Sequence, residues 1–170
     1  MRTVRKLCAI RATSHRSARA IVAVLAAALG VLTVVGPVAA MPPEQVTIVS
    51  HVDFNNPGPN TGNFSITGAD GLICRKGTFV DTGIKFSGFQ SGKQVQLTVF
   101  KDFICDDLSG TFSVKLQIHA SFDGTENFTW VIQSGTGAYA RLQGSGSGTT
   151  VPDAGNPQPG NTNTYTGSIH

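Results

Sequence analysis

The run from Phe112 to Phe122 constrains this chain more than any other. Its even positions are apolar or small (Phe112, Val114, Leu116, Ile118, Ala120, Phe122), and the odd ones between them are Ser113, Lys115, Gln117, His119 and Ser121. Side chains on a strand alternate between faces, so a two-residue period of this length predicts one face in a core and one in water. After a turn at Asp123-Gly124-Thr125, Phe128, Trp130 and Ile132 resume the apolar parity opposite Asn127, Thr129, Val131 and Gln133. The two runs predict a single β-hairpin.

The first forty residues have a different character. Arg2, Arg5, Lys6, Arg11, Arg16 and Arg19 form a positive segment without an acidic residue, and Ile21 to Val35 is an apolar run closed by Gly36-Pro37. Val38-Ala39-Ala40 supplies the small residues a signal peptidase needs, which predicts a signal peptide at 1–40, cleaved after Ala40, and a secreted single domain at 41–170. An uncleaved anchor is the alternative, because the span from Arg19 to Glu44 carries no charge and is long enough to cross a bilayer. The membrane is expected as a partner only in that case.

Removal of this segment reverses the charge balance. Six of the 13 basic residues precede residue 41, leaving seven against 10 acidic ones and turning the formal charge of +3 into −3. A basic surface for nucleic acid is therefore not expected. Three cysteines become two, Cys74 and Cys105, and an even number in an exported chain favours a disulfide.

The remaining residues suffice for one core. Beyond residue 43 no stretch shows helical spacing over ten or more residues, so the chain is expected to be all-β. A first strand is expected from about Gln45 to Phe54 and a short second one around Phe64 and Ile66. A second hairpin has Val80, Thr82, Ile84 and Phe86 facing Val95, Leu97 and Val99 across a turn at 88–92. The hairpin described first follows, then a glycine-loosened strand from Leu142 and a last strand at 162–170 with Tyr165 and Ile169 on one side. Seven or eight short strands joined by local turns need closure to hide their edges. The expected fold is a small up-and-down antiparallel β-barrel, with a two-sheet sandwich as the second choice. Keeping Val80, Thr82 and Ile84 opposite Val99, Leu97 and Val95 also puts Cys74 opposite Cys105. A register two residues away puts Cys74 opposite Asp107.

Gly135-Thr136-Gly137-Ala138-Tyr139-Ala140 matches the dinucleotide fingerprint GxGxxA, but that motif works only where its last small residue opens a helix. Gly144, Gly146 and Gly148 follow too soon for one. A structural role fits better: Gly135 and Gly137 permit positive φ, and Tyr139 and Leu142 drop an apolar plug over a barrel end. The whole run from Gly135 to Gly146, after a strand carrying Trp130, resembles the glycine-rich signature of bacterial allene-oxide-cyclase-like barrel domains, and more distantly that of dirigent proteins. The resemblance implies an eight-stranded antiparallel barrel and, among its members, ring-forming cyclases. It carries no catalytic residue onto this chain.

The candidate lumen comprises Phe112, Leu116, Ile118, Phe128, Trp130 and Ile132, extended by Phe54, Ile66, Val80, Thr82, Ile84, Val95, Leu97 and Phe122. None of these titrates near neutrality, whereas His51, Asp53, Lys85, Lys115 and His119 share the opposite, solvent parity. His51 and Asp53 are expected to pair there. A lumen of this kind lacks the titratable group that acid–base catalysis requires. The expected function is therefore a non-catalytic exported barrel that binds a small apolar molecule or another surface, without metal or cofactor. A cyclase or isomerase acting by shape alone, and a purely structural protein with a filled core, are the alternatives.

Overall fold

In the computed structural model, residues 42–55, 57–90, 94–121, 126–155 and 159–170 are described. The expected signal segment at 1–40, Phe122 and the turn at 123–125 lie outside them. Eight strands follow one another: β1 (Glu44–Asp53), β2 (Thr61–Gly68), β3 (Lys76–Gln90), β4 (Gln94–Cys105), β5 (Thr111–Ser121), β6 (Glu126–Gly135), β7 (Gly144–Pro152) and β8 (Gly160–Ile169). Each pairs antiparallel with the next, and β8 closes on β1 from Glu44↔Ile169 to Asp53↔Gly160. The result is a closed up-and-down barrel without a free edge.

The parity read from the sequence holds in β1, β2, β5, β6 and β8. Val46, Ile48 and Val52, Phe64 and Ile66, Phe112 to Ile118, Phe128 to Ile132, and Tyr165 with Ile169 are buried inside. Phe54 departs from this pattern: it stands just past the end of β1 and is 43% exposed. Inside, Phe103 stacks on Phe112 with centroids 4.9 Å apart, and Phe64 meets Phe103 edge-on at 5.0 Å. Phe128 and Trp130 both pack edge-on against Tyr165. Most of the lumen is thus filled by rings, the arrangement favoured by the aromatic quadrupole.

The strand β3 corrects the expected second hairpin. Its register against β4 shifts between Asp81 and Gly83, leaving Thr82 as a bulge. Before the bulge the inward residues are Gly77, Phe79 and Asp81, so Val80 and Thr82 are not lumen residues. After it Ile84 and Phe86 take the inward parity, opposite Val99 and Leu97, but they are 57% and 59% exposed. The expected pairing is also displaced: Cys105 lies opposite Gly77, and Ile84 opposite Val99.

Cys74 and Cys105 nevertheless form a disulfide, with Cα atoms 6.0 Å apart. Cys74 precedes β3, in the β2–β3 connection, and reaches Cys105 from there. That connection, carrying buried Ala69 and Ile73, covers one end of the barrel together with the β6–β7 connection. The latter contains the three-residue 3₁₀ turn Gly137–Tyr139, where Tyr139 packs edge-on against Phe112 and its hydroxyl meets Ser109 Oγ at 2.6 Å. Leu142 packs against the same core. The apolar plug expected of Tyr139 and Leu142 is therefore present. Of the two glycines expected at positive φ, Gly137 is (φ 57°), whereas Gly135 is required because a Cβ there would lie 2.1 Å from Tyr139 O.

Candidate functional site

The opposite end of the barrel, where the β1–β2, β3–β4, β5–β6 and β7–β8 connections lie, is polar inside. Three features bring charge to that end. Odd positions of β4 face inward, so Lys101 follows Val99 and precedes Phe103. Asp81 is the last inward residue of β3 before the bulge and is the direct register partner of Lys101. Glu126 opens β6 on the parity of Phe128 and Trp130.

Lys101 Nζ lies 2.8 Å from Asp81 Oδ1, and the two side chains are only 3% and 7% exposed. At this separation the ammonium and the carboxylate form a buried ion pair. The carboxylate is oriented from its other side. Asn60 Nδ2 donates to Asp81 Oδ2 at 3.0 Å, and the Asp81 amide donates to the Asn60 carbonyl at 2.8 Å. Lys101 Nζ also sits 3.7 Å from the Phe79 ring centroid. Burial pulls the Lys101 ammonium below its ordinary 10.5, opposed by Asp81 and, more weakly, by Glu126.

A second polar group faces this pair. Thr150 Oγ1 lies 2.8 Å from Glu126 Oε1 and 2.9 Å from Asn163 Oδ1. A hydroxyl has one proton, and the carboxylate claims it. Asn163 then completes the chain best by turning its amide NH₂ toward Thr150. Below lie Ser50 and Tyr165, both fully buried, whose hydroxyls have no aligned hydrogen-bond partner among the described residues. Burial raises the Tyr165 phenol far above its ordinary range, with the Ser50 hydroxyl pulling the other way.

These residues line a pocket of about 150 Å³ opening at the barrel mouth. Asn60, Asp81, Lys101, Glu126, Thr150, Asn161 and Asn163 form its polar side. Val52, Leu97, Val99, Leu116, Ile118 and Phe128 form its apolar side, and Phe54 and Ile84 stand at its lip. The volume is about that of an apolar cavity that admits benzene. Larger depressions of about 490, 470 and 350 Å³ are open grooves, lined mainly by outward-facing residues such as Ser145, Val80 and Thr129. Comparisons with protein-family models, curated proteins and solved structures match nothing. The site therefore rests on its own geometry.

That geometry divides the candidate lumen. Leu116, Ile118 and Phe128 line the pocket, whereas Phe112, Trp130 and Ile132 are core. Trp130 is held at its polar atom as well, since Nε1 donates to the carbonyls of Ser147 and Thr166, both at 3.2 Å. The disulfide belongs to the covered end, away from the pocket. A wholly apolar lumen is corrected by Asp81 and Lys101, and with it the premise that no titratable group faces inward. Continuing the parity of Val95, Leu97 and Val99 by one more step would have placed Lys101 inside. A second signal lies in the likeness of Gly77-Thr78-Phe79 to Gly110-Thr111-Phe112: both phenylalanines point inward, and Asp81 follows Phe79 on its face. On the outer wall, His51 Nδ1 lies 3.5 Å from Asp153 Oδ2, and Asp53 Oδ1 accepts from the Asn55 amide and Nδ2 at 2.8 and 2.9 Å.

Proposed function

We propose that this chain is an exported, non-catalytic barrel that binds one small molecule in the pocket at its open end. The observation that carries the reading is the asymmetry of the lumen. Buried rings fill one end, while the other keeps a cavity with an apolar wall facing a few convergent polar groups, the usual composition of a ligand site. Export accounts for the arginine-rich leader and is compatible with the disulfide at the covered end. The glycine-rich run supports kinship with allene-oxide-cyclase-like barrels.

A cyclase or isomerase is the second reading, favoured by the Asp81–Lys101 pair beside an apolar wall. Binding is preferred because Lys101 is closed in by Asp81 and the Phe79 ring and is almost without exposed surface, so its nitrogen has little room to meet a substrate. The test is native mass spectrometry of protein recovered from the medium and cell envelope of its own host. A retained small molecule, lost when Leu97→Trp fills the pocket, is the expected result. Protein that never leaves the cytoplasm would contradict export, and ligand retained equally by Leu97→Trp would contradict the site.

A further inference from the structure

The charges of the pocket specify which head group it accepts. We propose that the open-end pocket selects small primary amines, an apolar body of about six heavy atoms carrying an ammonium group, with Glu126 as the counter-ion. The proposal rests on the binding reading above and names its ligand class.

Among the described lining residues the formal charges are those of Asp81, Lys101 and Glu126. Lys101 is committed to Asp81 at 2.8 Å and to the Phe79 ring, which leaves the Glu126 carboxylate in excess. One hydroxyl, that of Thr150, serves it. A carboxylate offers about four lone-pair sites, so acceptor capacity remains.

An unused acceptor recurs elsewhere in the same cavity. Asn161 Oδ1 is buried without a hydrogen bond among the described residues. Buried acceptors left unmet are costly, so this wall calls for a ligand that brings donors. An ammonium brings three and supplies the missing positive charge. A carboxylate ligand would face Glu126 and Asp81 at reduced dielectric, with the lone cation already taken. The facing wall of Leu97, Leu116, Ile118 and Phe128 suits the hydrocarbon body, and about 150 Å³ suits a six-membered ring.

The experiment is calorimetric titration of the folded, disulfide-bonded domain with cyclohexylamine, cyclohexanol and cyclohexanecarboxylate, three probes with one body and three heads. The amine should bind about tenfold more tightly than the alcohol, the effect of one charge-assisted hydrogen bond, with the carboxylate weakest. Added salt should erode the amine's advantage, and in Glu126→Gln the amine-to-alcohol ratio should fall close to one. Equal binding of amine and alcohol, or preference for the carboxylate, overturns the head-group assignment while leaving the pocket intact. Failure of all three to bind overturns the pocket itself.

Discussion

Lys101 Nζ lies 3.7 Å from the centroid of the Phe79 ring, inside a barrel where that ring also packs against Phe103. The ring faces a cation that burial disfavours and that Asp81 sustains. Phe79, Asp81 and Lys101 therefore act together: the regular alternation of β3 before the bulge puts both of its side chains inward, and β4 brings the ammonium to them.

Breaking this pair on one side should be far worse than removing it whole. Lys101→Met strands the Asp81 carboxylate with Asn60 as its remaining side-chain partner and should cost about 3–5 kcal/mol. The double variant Asp81→Asn/Lys101→Met should recover most of that loss in urea unfolding. Additive losses in the double variant would show that the two residues are not coupled.

The two shifted groups at this end have opposite pH signs. Lys101 is lowered from 10.5, so the unfolded chain holds more protons between the lowered value and 10.5, and stability rises with pH across that window. Tyr165 is raised from 10.0, so its contribution is complete below 10.0 and is lost as pH climbs further. The urea midpoint should therefore fall in the strongly alkaline range for the wild type and fall less for Tyr165→Phe. An identical alkaline fall in both would remove Tyr165 as its source.

The glycines of β7 are required by the close backbone of β8 and, at Gly148, by the Phe128 ring of β6. A Cβ on Gly148 would lie 2.2 Å from Phe128 Cζ and 2.4 Å from Thr164 O. Gly148→Ala should cost about 1–3 kcal/mol through overpacking, whereas Ser147→Ala on the exposed face should be near neutral. Equal thermal midpoints for the two variants would contradict the packing of Phe128 onto β7.

Cys74→Ala/Cys105→Ala opens a loop with a sequence separation of 31. The expected loss is about 3.5 kcal/mol in the chain-entropy model. Because the bridge secures the covered end, ligand affinity at the open end should change little in the fraction that remains folded. A lost disulfide that abolished binding without unfolding the domain would place the site at the wrong end.

The parts legible in the sequence were those where one strand face stays in the core along its whole length. Phe112 to Ile118 and Phe128 to Ile132 show their alternation because the register shift between β5 and β6, at Ser113/Val114, takes up its extra residue at Gln133, past Ile132. β3 defeats the same reading: Ile84 and Phe86 look like core yet are more than half exposed, and the bulge at Thr82 reverses the faces between them and Phe79. The cysteine pair was legible from the even number left after residue 40, but not from the register, since Cys74 reaches Cys105 from a loop and Cys105 lies opposite Gly77. Asp81 and Lys101 stayed hidden because a charged residue on an apolar parity reads as the end of the pattern until its partner is known.

The central claim is that the open end of the barrel, and not the covered end or the outer wall, receives a ligand. Methyl NMR during titration with cyclohexanol tests it most directly. Shifts should concentrate on Leu97, Val99, Leu116 and Ile118, with Val46, Ile73 and Ile169 at the covered end unmoved. Saturating cyclohexanol that moves no methyl at the open end, or moves those of the covered end instead, would contradict it.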